Sequence, residues 1–133
     1  MGYLLDTNTV SDILRRDRTV SERYLFEWKN QTPMYVSVMT LIEIKRGLRY
    51  KAARNKAQLF EAMSQLLPTL WLDNAELAEH AINIHNNLRR RGQPIPEADV
   101  LIAATAQHHN LTVVTSDQHF SRISDLSVIN WRG

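Results

Sequence analysis

The chain contains no cysteine, which removes thiol catalysis, disulfide staples and thiolate metal sites together. Any metal it holds must sit on oxygen or nitrogen ligands. No apolar run is long enough to cross a bilayer. The opening Met1-Gly2-Tyr3-Leu4-Leu5-Asp6 lacks the basic segment and apolar stretch of a secretory signal. Asp6 also stands where a myristoylation site would carry Ser or Thr. The expectation is a cytoplasmic protein with no membrane partner. Glycine is scarce, at 4 residues, and none belongs to a Gly-rich phosphate loop. A dominant charge sign is missing too: 16 basic residues against 14 acidic give a formal +2. That balance neither demands nor forbids a nucleic-acid partner, so the distribution of charge has to decide.

What is present suits one compact domain, 1–133, with 44% hydrophobic residues and no repeat, low-complexity tract or linker. The short apolar run Tyr3-Leu4-Leu5, the β-rich 35–38 after Pro33, the short 70–72, the clear 111–115 and the short 127–129 read as strands. Helical periodicity covers 9–16, 20–29, 40–50, 55–67, 75–91 and 97–109. In 75–91 the stripe is Leu77, Ala81, Ile84 and Leu88, and the helix ends in Arg89-Arg90-Arg91-Gly92, as helix C-termini favour. The run Val100-Leu101-Ile102-Ala103-Ala104 implies a helix buried on nearly all sides. Strands alternating with helices predict an α/β fold of three layers: a mostly parallel sheet of four to five strands with helices on both faces. Right-handed crossovers then place ligands at the carboxyl ends of the strands.

Two acids stand at those ends, Asp6 closing the first strand and Asp117 just past the fourth. Two more begin helices: Glu43 in the first turn after the second strand, and Asp99 in the first turn after Pro96. Each has an ordinary structural explanation. Asp6 suits a helix N-cap, Thr40-Leu41-Ile42-Glu43 matches a capping box, Asp99 complements a helix dipole, and Thr115-Ser116-Asp117 suits a turn. As a set they are expected to converge on one sheet edge. Four converging carboxylates repel unless a cation neutralises them, and hard cations such as Mg²⁺ or Mn²⁺ are the natural choice.

Leu5-Asp6-Thr7-Asn8 resembles the opening motif of the PIN-domain family, and Thr40-Leu41-Ile42-Glu43-Ile44-Lys45-Arg46-Gly47 is similar to its second. Ala98-Asp99-Val100-Leu101-Ile102-Ala103-Ala104-Thr105-Ala106 resembles the third, and Val114-Thr115-Ser116-Asp117-Gln118-His119-Phe120 the fourth. The motifs follow in order over nearly the whole chain, and within the family the size and opening are most similar to the VapC toxins and the related FitB proteins. The resemblance implies a PIN-like fold and a Mg²⁺- or Mn²⁺-dependent endoribonuclease. Asp6, Glu43, Asp99 and Asp117 would be its catalytic and metal-binding acids, with Asn8 and Thr115 in support and Glu97 as a nearby spare acid. The metal would activate water for in-line attack on a phosphodiester. The resemblance also implies a homodimer, within a larger complex with a VapB-type antitoxin whose C-terminal segment offers an Arg or Lys to the acidic pocket. A tRNA or an rRNA loop is the expected substrate.

Basic residues should rim such a pocket, because acids alone repel RNA. Arg46 and Arg49 after Glu43, and Arg89, Arg90 and Arg91 before the Pro94 loop, are the candidates; helix C-terminal cations are the ordinary explanation of each cluster. The five histidines are not expected to form a metal site. His80 and His85 fall on different helix faces, and His108-His109 adjoin a helix end. Leu25, Phe26 and Trp28 suit a dimer or antitoxin surface.

Three rival readings differ at identifiable residues. A haloacid-dehalogenase phosphatase would need a second Asp where Asn8 stands, and a receiver domain would need a Lys after a late strand where Thr115-Ser116-Asp117 stands. A FitB-like non-enzymatic partner of a DNA-binding protein keeps the fold without the activity, and the complete acid set counts against it.

Overall fold

The computed structural model describes residues 2–133. Three strands form its centre: β1 (Tyr3–Leu5), β2 (Met34–Ser37) and β4 (Thr112–Val114). The two-residue strands β3 (Thr69–Leu70) and β5 (Val128–Ile129) close the edges. The order is β3-β2-β1-β4-β5 and every pairing is parallel. Leu4 lies opposite Tyr35 on one side and Val113 on the other.

Alternation along these strands sorts the core into two layers. Leu5, Met34, Val36 and Val114 face α1 (Thr7–Leu14), α2 (Arg18–Lys29), α3 (Val38–Tyr50) and α4 (Arg54–Ser64). Leu4, Tyr35 and Val113 face α5 (Ala75–Arg90) and α6 (Glu97–His108). This is the expected three-layer α/β arrangement, and successive strand residues point to opposite faces because the pleat has period two. The α5 stripe is as the periodicity predicts: Leu77, Ile84 and Leu88 are buried and Ala81 packs beside them. In α6, Ala103, Ala104 and Ala106 are fully buried. Their short side chains let α6 lie close to both α5 and the sheet.

The topology creates a switch point. From β1 the chain passes through α1 and α2 to β2 on one side, and after β3 it crosses through α5 and α6 to β4 on the other. At such a point the crossovers diverge and leave a crevice outside the carboxyl ends of the strands. Among the described residues no helix is long and apolar enough to cross a membrane.

Candidate active site

The fold brings the four expected acids near one another: Asp99 lies within electrostatic reach of Asp6, Asp117 and Glu43. β1 ends at Leu5, and the next residue, Asp6, caps α1 by accepting the Thr9 N–H at 2.9 Å. Its other carboxylate oxygen accepts the Thr115 hydroxyl, which comes from the far side of the crevice just past β4. The Asp6 N–H donates to the Val114 carbonyl at 3.1 Å, and the Thr9 hydroxyl donates to the same carbonyl at 2.9 Å. Asp6 is therefore both a structural cap and a member of the site.

The Thr115 hydroxyl also accepts the Asp117 N–H at 2.9 Å, and Asp117 in turn caps the 3-10 turn Gln118–Arg122 through the His119 N–H at 2.9 Å. Thr115 thus joins the ends of β1 and β4. Asn8 lies exposed in the first turn of α1, beside Asp6 but with no side-chain hydrogen bond to the described residues.

Glu43 is not in a capping box. The helix begins at Val38, capped by Ser37, whose hydroxyl accepts the Met39 N–H at 3.0 Å. Glu43 consequently lies in the second turn of α3 rather than the first, and its carboxylate is free to turn toward α1. There it accepts the Thr7 hydroxyl at 2.7 Å, beside the Thr40 hydroxyl. The cause is the tight exit from β2: the strand ends at Ser37 and the helix follows at once, before Thr40 is reached.

Asp99 occupies the first turn of α6, as expected, and brings in a residue to which sequence reasoning assigns no role. His119 Nδ1 lies 3.0 Å from an Asp99 oxygen and 3.3 Å from an Asp117 oxygen. The three side chains have ligand atoms close enough to share one metal ion. The sequence signal for His119 is its place two residues past Asp117, in a turn that folds back over the strand end.

The electrostatics of the crevice are those of an uncompensated acidic site. Burial pushes the Asp6 carboxyl above its ordinary range; the Thr115 and Thr9 hydrogen bonds oppose that rise and the charge of Asp99 adds to it. Burial also raises Asp99, against the His119 hydrogen bond and with the charges of Asp117 and Glu43. Among the described residues no Lys or Arg pairs with any of the four. Oxygen-rich, acidic and short of counter-charge, the donor set fits a hard divalent cation. A larger recess of about 610 Å³ between α5, α6 and the segment 123–127 contains none of the acids.

The chain is similar to known proteins over nearly its whole length. The PIN domain family model matches residues 3–126. The tRNA(fMet)-specific endonuclease VapC of Salmonella typhimurium is 32% identical, with 98% of each chain covered. Toxin FitB of Neisseria gonorrhoeae is 31% identical over 96% of each chain. The solved structure of DNA-bound VapBC from Salmonella typhimurium superposes with a TM-score of 0.86 at 28% identity, covering 98% of both chains. The chain therefore belongs to the PIN-domain family and, within it, to the group that holds the VapC ribonucleases and FitB.

Proposed function

We propose that the chain is the toxin of a VapBC-type toxin–antitoxin pair and acts as a metal-dependent endoribonuclease, cutting a tRNA or an rRNA loop. The observation that carries this reading is the set of four carboxylates in the switch-point crevice, with Asp6 buried and no Lys or Arg ion-paired to any of them among the described residues. The match to a tRNA-specific VapC over the whole chain supports the substrate class.

Asp6, Asp99 and Asp117 would hold the cation, Mg²⁺ or Mn²⁺, with His119 beside them and Glu43 at the rim. When bound, the cation supplies activation of water and neutralisation of charge on the phosphodiester undergoing attack. Thr115 and Thr9 hold the Asp6 carboxylate in place, and Thr7 does the same for Glu43. These hydroxyls and N–H groups preorganise the acids, so that little reorganisation accompanies the chemical step. Asn8, exposed next to Asp6, is free to donate to a bound phosphate. Arg46, one turn past Glu43, would contact one flank of the substrate together with Arg49. Arg89 and Arg90, at the end of α5, would contact the RNA from the other layer, whereas the Arg91 guanidinium is engaged by Asn87, Gln93 and the Arg122 carbonyl.

The partners follow from the same reading. α2 leaves Leu25, Phe26 and Trp28 exposed at 51%, 60% and 46%. Exposed apolar side chains of this kind suit contact with the antitoxin or a second copy of the chain. A basic side chain of the antitoxin would neutralise the acids in the inactive complex.

Cleavage of purified RNA tests the proposal. It should require Mg²⁺ or Mn²⁺ and stop with EDTA, and Asp6→Asn or Asp99→Asn should each lower it by about 100-fold or more. Both variants should keep the wild-type circular dichroism spectrum. Full activity in either one overturns the assignment, and no cleavage by the wild-type chain favours the FitB-like, non-enzymatic alternative.

A further inference from the structure

A groove of about 200 Å³ leaves the acidic crevice between α1 and α3. It starts at Thr7 and Glu43, which are hydrogen-bonded to each other. It ends among Arg15, Lys51 and Lys56, and Gly47 lines its middle. From Glu43 to Lys51 it extends about 12 Å along α3. Leu14 and Leu48 contribute its apolar walls.

We infer that this groove binds the sugar–phosphate backbone of the RNA strand on one side of the cleavage point. The inference rests on the ribonuclease reading above and goes beyond it by giving the strand a path. Two independent observations support it.

The first is charge. The groove carries three cations, and among the described residues its only carboxylate, Glu43, belongs to the acidic crevice. Lys51 and Lys56 form no ion pair among the described residues. Arg15 is held against Asp12, which fixes its position at the far end. A polyanion running out of the acidic crevice meets these cations as it leaves, and about two or three nucleotides fit along the groove. A peptide could also lie on apolar walls, but three cations at the far end favour phosphate over an antitoxin segment that must itself bring positive charge to the acids.

The second is Gly47. It sits in the interior of α3, where glycine is a poor helix former. Packing within the fold does not require it, because a Cβ at this position would meet nothing within 4 Å. A helical glycine that opens onto empty space lets something outside the chain approach the helix backbone closely. The groove it lines is continuous with Glu43.

Gly47→Leu is the test, because its Cβ would meet nothing within 4 Å, its side chain would occupy the groove and leucine is the better helix former. Binding of a fluorescent single-stranded RNA 12-mer would be followed by anisotropy across a salt titration, in an Asp99→Asn background that leaves the RNA intact. Gly47→Leu should weaken binding about tenfold. Lys51→Ala with Lys56→Ala should lower the log–log salt slope by roughly 1.4, or about 0.7 for each phosphate that is no longer neutralised. Lys29→Ala, on the remote end of α2, should change neither. With Asp99 restored, Gly47→Leu should still cleave a dinucleotide, which does not reach the groove, while losing activity on the 12-mer.

If Gly47→Leu and the double lysine variant bind RNA as tightly as their parent with the same slope, the groove is not the RNA path, and the ribonuclease reading stands. If Gly47→Leu instead loses only its copurifying antitoxin, the groove belongs to the peptide and the inference is overturned. If the parent protein neither binds nor cuts any RNA, the ribonuclease reading falls, and this inference with it.

Discussion

Asp6 and Asp12 lie at opposite ends of α1 and are almost equally buried, at 3% and 2% exposure, yet their surroundings treat them in opposite ways. Asp12 sits in the last turn, where the helix dipole disfavours an anion, and it is fully neutralised. Arg132 grips both of its oxygens at 2.7 and 2.8 Å, and Arg15 closes over it from the next turn. Glu27 follows the same rule, with Arg23 Nε at 2.7 Å and the Thr32 hydroxyl at 2.8 Å. Asp6 sits at the helix N-terminus, where an anion is favoured, and it receives only uncharged donors. Among the described residues the fold thus sets guanidinium groups against Asp12 and Glu27 and puts none in ion-pair contact with the crevice acids. An acid that is buried, hydrogen-bonded and still unneutralised is set up for a cation from outside.

The largest test of this contrast is Asp12→Asn. It removes the buried anion that Arg132 and Arg15 hold and should lower Tm by more than either effect below. RNA cleavage should persist below the new Tm. The contrast fails if thermal denaturation of metal-free protein shows Asp12→Asn to be no worse tolerated than Asp6→Asn.

A smaller effect comes from the metal. At ten times its Kd, Mg²⁺ should stabilise the wild-type chain by about 1.4 kcal/mol, raising Tm by roughly 5 °C. Asp12→Asn should show the same increment, and Asp6→Asn should lose most of it. An equal rise in all three proteins would mean that the ion binds elsewhere.

The smallest effect, and the sharpest, is in pH. Burial raises the folded-state pKa of Asp6, so the stability it contributes is fully present below the ordinary carboxylate range. That contribution is lost as pH rises through the raised value. Asn mimics the protonated form and does not titrate. Without metal, Asp6→Asn should therefore match the wild type near pH 4 and exceed it in Tm by a few degrees at pH 8. A constant difference across that range would contradict the assigned direction of the shift.

Much of this architecture is legible in the sequence. The two-layer core follows from alternation in strands as short as Tyr3-Leu4-Leu5, and the α5 stripe from its period. Asp6, Asp99 and Asp117 can be placed because strand ends and proline-marked helix starts are local features. The start of α3 is ambiguous in the sequence because Thr40 and Glu43 match the capping pattern as well as Ser37 matches an N-cap; only the length of β2 decides between them. The place of His119 two residues past Asp117 is legible, but its contact with Asp99 is not, because Asp99 belongs to another element and no local periodicity records a contact across a crevice.

The division has a physical basis. By itself the sequence determined which segments are helices and strands, which faces are apolar, and which acids stand at their ends, because hydrophobic periodicity and breaker residues act over a few neighbouring positions. Only the tertiary structure decided which acids are neutralised. The Asp12–Arg132 pair joins the first helix to the end of the chain, the Thr115–Asp6 bond joins two strands across the switch point, and the groove beyond Glu43 exists only where α1 and α3 pack with a glycine between them. Charge compensation depends on distances in space, which sequence separation does not encode.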